Sequence, residues 1–485
     1  MHPIAKLDHK FLWHPFTQMK DWLTREPIVI RSGKGSVLVD VKGRQYLDAN
    51  SSIWTNIHGH RNPKIDKALR RQLEKISHSS ALGLASEPAP KLAARLITAA
   101  VTPAKKRNFP SPRARLPSSP SLTKVFFSDD GSTAMETGIK LATEFAKRTR
   151  GITKPRFLSL EGAYHGDSVG ASSMGHIQLF RRSCTSILFK CDTVMSPYCY
   201  RCPFNKAKPE KADARSYRQC EWQCVDVVER AFARQNKKGA PYALFALEPL
   251  IQGAAGMIPQ PEGWLSRVCE IARHYGTLTL LDEVMTGFGR ATTKLLPNGR
   301  SELFAFQREG VTPDMVALAK GMTGGYLPMA ATLISQPIFD AFLGEYEEFK
   351  TFFHGHSYTA NQLGSAAALA NLDLLESPRV RKHRATMEVE LQEGLNILWK
   401  SPWVGDIRQV GLIVGVELVK NQRDRTPFKL QDRVGIRVCE AMAKKGVLTR
   451  PIGNVIVLMP PFSTTVPQLH TMMTVLFESL RETLG

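Results

Sequence analysis

The stretch from Thr277 to Arg290, TLTLLDEVMTGFGR, constrains the fold more than any other part of the chain. Thr277 to Leu281 is apolar and partly β-branched, and it stops at two acids, Asp282 and Glu283, followed by Gly287-Phe288-Gly289. A short run of this kind, bounded by turn residues, is predicted to be a strand of a parallel sheet covered on both faces. Open α/β sheets carry their ligands beyond the carboxyl ends of the strands, which places Asp282 against one. Asp314 to Ala319, DMVALA, repeats the form and ends in Lys320, then GMTGG. An acid and a lysine close two strands of one sheet, with glycines that let a ligand approach the backbone.

That pairing suits pyridoxal phosphate. A lysine forms a Schiff base with the aldehyde, and an acid pairs with the pyridinium nitrogen. The remaining strand ends are compatible. In KVFFSDDGSTAMETGIK a strand at Val125–Phe127 leads through a turn into a helix. Thr133 and Glu136 have capping-box spacing, and Met135, Ile139, Ala142 and Ala146 line one helical face. The free N–H groups and hydroxyl at Gly131 and Ser132 suit a phosphate. RFLSLEGAYHG sets Tyr164 at the end of another strand, where its ring either stacks on a flat ligand or closes over the core. YALFALEPL ends at Glu248, and MAATLIS is one more strand.

Around these lie segments of other character. Residues 29–49 are predicted to form two short strands about Lys42-Gly43, followed by a polar and aromatic loop, SSIWTNIHGH. Helices are expected near Pro63–Lys75 and Pro88–Ala100. From about Ser377 the chain reads as helix, then the strands LIVGVEL and VIVLMPP, then an amphipathic helix with Leu469, Met473, Leu476, Leu480 and Leu484 on one side. The expected organisation is α/β: a large ligand-binding domain at 76–376 and a smaller α+β domain at 377–485, joined by residues 1–75.

Two insertions interrupt the large domain. Residues 102–121 are rich in Pro, Ser and Arg, and residues 196–225 carry Cys199-x-x-Cys202 and Cys220-x-x-x-Cys224. The four thiols have a spacing that a zinc ribbon tolerates, but their flanks carry no other mark of one, and they are read as a reduced surface loop with no metal. Both insertions are basic, so the formal net charge of +21 is read as solvated loops rather than as a nucleic-acid surface. No apolar run approaches the roughly 18 residues that span a bilayer. The N-terminal MHPIAKLDHKFLWHPF lacks an apolar core. A cytoplasmic protein is expected, with no membrane or nucleic-acid partner.

With Leu281-Asp282-Glu283-Val284, Gly287-Phe288-Gly289-Arg290 and Ala319-Lys320-Gly321 in view, the chain resembles the class III, fold type I aminotransferases over nearly its whole length. Trp13-His14-Pro15-Phe16-Thr17-Gln18, Ser51-Ser52 with Trp54, Ile57-His58-Gly59, and Arg450-Pro451 with Leu458-Met459-Pro460-Pro461 narrow the resemblance to the 7,8-diaminopelargonate synthases of biotin biosynthesis. The resemblance implies ping-pong transfer of an amino group to 8-amino-7-oxononanoate in a homodimer. It makes Lys320 the Schiff-base lysine and proton shuttle, and Asp282 the partner of the ring nitrogen. Tyr164 would stack on the ring, Gly131 and Ser132 would hold the phosphate, and Glu248 would lie beside the cofactor. Ser357, within HGHSYTAN beside Gly355, would reach the phosphate of the neighbouring subunit. Arg450 would pair with the substrate carboxylate, with Arg290 at the mouth and Phe16, Ile53 and Trp54 lining the substrate space.

Members using S-adenosylmethionine carry Tyr, Trp and Tyr where this chain has Phe16, Ile53 and Val457, which bears on the donor. S-adenosylmethionine is the default donor, and lysine the alternative. Another class III ω-amino-acid aminotransferase is the nearer rival reading. A nicotinamide dehydrogenase fails because Gly287-Phe288-Gly289 lacks the third glycine of its fingerprint. A non-enzymatic basic nucleic-acid-binding protein would leave the lysine and acid at strand ends as coincidence.

Overall fold

The computed structural model describes residues 1–101, 121–207 and 211–485. The insertion read at 102–121 therefore lies outside the described residues, except for Ser121. The centre is a seven-stranded sheet in the order Leu122–Ser128, Ala330–Ser335, Met315–Leu318, Leu278–Asp282, Tyr242–Leu247, Arg156–Leu160, Asp192–Val194. Six strands point one way, and Ala330–Ser335 runs against both its neighbours. Its direction follows from its connection. Between Leu318 and Ala330 there is only a tight turn at Lys320–Thr323 with Gly324 and Gly325 at positive φ. Without a long crossover helix, the next strand returns antiparallel.

Both faces of the sheet are covered, so its strands are apolar throughout. On one face Met135, Ile139 and Ala142 of the helix Gly131–Arg150 pack with Leu244, Leu280 and Met315. A Cβ at Gly138 would come within 2.6 Å of Leu280, so the glycine lets helix and sheet close. On the other face Phe232 of Gln223–Lys237 and Trp264, Leu265 and Val268 of Trp264–His274 cover Phe245, Leu247 and Leu281.

The C-terminal part carries an antiparallel sheet of Val404–Val410, Ile413–Asn421, Val455–Leu458 and Pro451–Ile452, with Thr426–Pro427 at one side. The strand Val404–Val410 was not foreseen, since its polar residues mask the period. The final helix, Val466–Leu484, buries Leu469, Met473, Leu476 and Leu480 as its pattern predicts. Near the N-terminus there are three strands rather than the expected two: Ile30–Lys34, Val37–Asp40 and Gln45–Asp48. Gly35, at φ +57°, makes the extra turn. Val447–Leu448 joins this sheet in parallel beside Leu47 and Asp48, tying the chain's two ends together.

The second insertion docks on the C-terminal sheet. Arg201 Nε donates to Glu417 Oε1 at 2.8 Å, and the fully buried Arg408 donates to Glu417 Oε2 at 2.7 Å. Among the described residues no three His, Cys, Asp or Glu side chains are grouped as a metal site, and Cys199, Cys202, Cys220 and Cys224 form no disulfide. Cys199 and Cys224 are taken up by packing, and Cys220 Sγ accepts from Arg218 at 3.1 Å.

Candidate active site

The carboxyl ends of the central strands open into a cavity of about 540 Å³, and Asp282, Lys320, Glu248, Tyr164, Ser132 and Trp54 all face it. Asp282 is the last residue of its strand and is buried. Its Oδ1 accepts from the Val284 N–H at 3.0 Å, and its Oδ2 lies 2.8 Å from Nδ1 of His165. Burial alone would lower the His165 pKa, but the hydrogen bond to Asp282 and its charge outweigh burial and raise it. The result is a carboxyl group held in a fixed direction by His165 and the Val284 N–H.

Lys320 begins the tight turn at φ +43°, a conformation that L-residues seldom adopt. Asn371 Nδ2 holds the turn by donating to the carbonyls of Gly321 and Met322, each at 2.9 Å. Burial lowers the Lys320 pKa below its ordinary value, against the pull of Asp282 and Glu248. Its Nζ lies 4.5 Å from the centroid of the Trp54 ring. Glu248, just past its strand, accepts from the N–H groups of Gly253 at 2.7 Å and Tyr164 at 3.3 Å. Burial pushes its carboxyl up to about 7.

One end of the cavity is made for an anion. The helix Gly131–Arg150 starts there with Asp130 as its cap, in a capping box with Thr133 rather than the Thr133–Glu136 pair that the spacing suggested. Glu136 instead accepts from Ser168 Oγ and the N–H of Gly170. The first N–H groups of a helix have no intrahelical acceptor, and the dipole favours negative charge beside them. Ser132 Oγ accepts from the Asp167 N–H at 3.0 Å. Gly166 approaches so closely, at φ +123°, that a Cβ there would fall 1.9 Å from Ser132 Oγ.

The walls are aromatic. Tyr164 is half-buried, and its hydroxyl donates to Asp167 at 2.9 Å. Phe180 links it edge-on to Phe16, with ring centroids 5.7 Å and 5.2 Å apart. Trp54 also lines the cavity, at the end of a segment read from sequence only as a loop. Ser51, Ser52, Ile53 and Trp54 all have φ between +46° and +70°, and the N–H groups of Trp54 and Thr55 donate to the carbonyls of Asn50 and Ser51. This is one turn of left-handed helix. L-residues adopt that form at a cost of about 1–2 kcal/mol each.

Other expected site residues lie elsewhere in this chain. Arg290 is not at the mouth: it is fully buried, because one guanidinium nitrogen donates to the Pro460 carbonyl at 2.6 Å and the group packs 4.9 Å from the Phe462 ring. Arg450 is exposed and does not line the cavity, and neither do Gly355 and Ser357, which are exposed on a separate segment. The Ser357 carbonyl accepts from His78 at 2.8 Å. Phe16 and Ile53 are exposed beside the mouth, whereas Val457 is buried within the C-terminal sheet.

Sequence reasoning placed His165 and Gly166 in the turn after a strand but gave them no role, and it missed Phe180. The first two follow Tyr164 directly, and a Gly after an aromatic–His pair at a strand end was a usable signal. Phe180 sits in a short helix, Gln178–Arg181, with no pattern to mark it.

The residues present fit pyridoxal phosphate. A helix start with a glycine-only approach would take the phosphate, Asp282 the ring nitrogen, and Lys320 the aldehyde.

Known proteins resemble this chain over nearly its whole length. The class-III aminotransferase family matches residues 19–480. The adenosylmethionine-8-amino-7-oxononanoate aminotransferase of Geobacter sulfurreducens is 43% identical over 478 residues, 99% of this chain and 97% of its own. The enzyme of that name from Methanocaldococcus jannaschii is 38% identical, over 99% of this chain and 98% of its own. Its crystal structure superimposes with a TM-score of 0.85, at 34% identity and 99% coverage of both chains. An omega-transaminase from Thermomicrobium roseum superimposes equally well, with a TM-score of 0.85 at 27% identity, over 99% of this chain and 98% of that one.

Proposed function

The chain belongs to the class-III aminotransferases, and on that premise we propose that it moves an amino group from S-adenosylmethionine to the ketone of 8-amino-7-oxononanoate, giving the 7,8-diaminononanoate of biotin biosynthesis. The family works with pyridoxal phosphate. The observation that carries the proposal is the convergence of Asp282, Lys320 and Trp54 on one cavity in a chain 43% identical to an enzyme of that name.

When bound, the cofactor supplies an electron-withdrawing ring that acidifies the C–H of an attached amine. The chain's residues then have separate tasks. Asp282, aimed by His165 and the Val284 N–H, holds a ring N–H with a fixed negative charge. Gly131 and Ser132 hold the phosphate at the helix start. Lys320 binds the aldehyde, and its lowered pKa leaves more of its amine neutral, free to take a proton and return it. Trp54 and Tyr164 exclude water from either side of that amine.

The working unit in this reading is a homodimer in which Ser357 reaches the partner's phosphate, since Ser357 is exposed and stands away from its own chain's cavity. The pairing of Val447–Leu448 with Leu47–Asp48 supports a small domain built from residues 1–75 and 377–485 around the large domain at 76–376. Among the described residues no helix is long and apolar enough to cross a membrane, and we place the enzyme in the cytoplasm, acting on small molecules rather than nucleic acid.

The test is to supply reconstituted protein with 8-amino-7-oxononanoate and one donor at a time, and to follow 7,8-diaminononanoate by mass spectrometry. Product with S-adenosylmethionine supports the reading. Product with lysine alone, the outcome that Phe16 and Ile53 would explain, overturns the donor. Transfer only between ω-amino acids overturns the acceptor.

A further inference from the structure

We propose that Asp48 and Asn50 are positioning residues of the amino-transfer site: they hold Ser51–Trp54 in a left-handed turn that keeps the Trp54 indole over Lys320. The inference rests on Lys320 being the reactive amine.

Four successive L-residues at positive φ do not stay there unless their surroundings fix them. Ile53 is β-branched, which makes its φ of +63° the least favourable of the four. The surroundings are on hand. Asp48 closes the strand Gln45–Asp48 and is buried. Its Oδ1 accepts from the Ser52 N–H at 3.0 Å, and its Oδ2 accepts from Ser52 Oγ at 2.9 Å. The same Oδ2 lies 3.0 Å from His60 Nε2, so the carboxylate is itself held in place. Ser51 Oγ donates to the Met459 carbonyl at 2.6 Å, anchoring the turn to the C-terminal part.

Asn50 then fixes the side chain that matters. Its Oδ1 accepts from Trp54 Nε1 at 2.8 Å, and its carbonyl accepts from the Trp54 N–H at 2.9 Å. Trp54 is thus held at two points, one on its indole and one on its backbone, and its ring faces Lys320 Nζ at 4.5 Å. Neither Asp48 nor Asn50 lines the cavity. They act through Trp54, whose place sets the room left beside the amine for the substrate chain.

The test uses the cofactor-free protein and the holoenzyme. In the cofactor-free protein, the near-ultraviolet circular dichroism of Trp54, isolated by subtracting the Trp54→Phe variant, reports how firmly the indole is held. Asp48→Ala and Asn50→Ala are expected to collapse that signal, while Asp48→Asn, which keeps an oxygen for the Ser52 N–H, retains it. In the holoenzyme the KM for the amino ketone rises about tenfold in both alanine variants, with a smaller change in kcat. Adding Ser52→Gly to Asp48→Ala restores both readouts, because glycine enters the left-handed turn without a Cβ penalty.

An unchanged Trp54 signal in folded Asp48→Ala and Asn50→Ala proteins overturns the proposal, as does failure of Ser52→Gly to restore it. If Asp48→Ala does not fold, Asn50→Ala, which leaves the Asp48 contacts intact, decides by the same signal. Undiminished turnover in Lys320→Ala would instead overturn the functional reading and leave the Trp54 signal unaffected.

Discussion

Replacing Glu248 by Gln in the cofactor-free protein should reverse the sign of its effect on stability between pH 4 and pH 8. Burial raises the Glu248 carboxyl from its ordinary 4.5 to about 7 in the folded chain. A group whose folded pKa is raised lends stability below its unfolded pKa and loses it as pH rises through the folded value. At about 1.4 kcal/mol per pH unit, the gap amounts to about 3 kcal/mol lost by the wild type over that window. Gln does not titrate, so the variant escapes the loss. It has one carboxamide oxygen for two donors, however. The Gly253 N–H at 2.7 Å keeps it, and the longer bond from Tyr164 at 3.3 Å is given up. That deficit is about 1 kcal/mol at every pH. The variant should therefore be less stable by about 1 kcal/mol near pH 4, about equal near pH 5 and more stable by about 2 kcal/mol near pH 8. Urea unfolding with linear extrapolation at pH 4, 5, 6, 7 and 8 measures both ends. An offset between the two proteins that does not change with pH would refute a protonated, buried Glu248.

Other perturbations have equally definite outcomes. Gly166→Ala places a Cβ 1.9 Å from Ser132 Oγ, so equilibrium titration should show pyridoxal phosphate bound about a hundredfold more weakly, the equivalent of about 3 kcal/mol of strain; unchanged affinity would show that this loop does not shape the phosphate end. Leu280→Ala, in the sheet core against Gly138, should cost about 2–5 kcal/mol in chemical unfolding without altering the cavity. Arg408→Met leaves Glu417 and Asp406 buried without their shared partner. It should cost about 3–5 kcal/mol in the same assay, and the double variant Arg408→Met/Glu417→Gln should recover part of it.

The chemistry of the site was legible from sequence wherever a strand ended in a functional residue. Asp282, Lys320, Glu248 and Tyr164 each follow an apolar run, and a run of that kind has one way to lie in a sheet covered on both faces. Its last residue then has one place to point. The start of the helix at Gly131 was legible for the same reason, although its cap proved to be Asp130. The left-handed turn at Ser51–Trp54 was not, because its conformation comes from Asp48, Met459 and Asn50 rather than from the propensity of Ser-Ser-Ile-Trp. The cysteine spacing did not show how the segment packs: Cys199 and Cys224 are buried and Arg218 donates to Cys220, contacts made by the folded chain rather than by the spacing.

By itself the sequence determined which residues end strands, and hence an α/β sheet whose edge gathers an acid, a lysine and the start of a helix. Local patterns suffice there because period and length are properties of consecutive residues. Only the tertiary structure decided that His165 aims Asp282, that Arg290 turns inward to the carbonyls of Met459 and Pro460, and that Trp54 stands over Lys320. Those are contacts between residues far apart in the chain, set by how strands, helices and turns pack, and no local pattern encodes them.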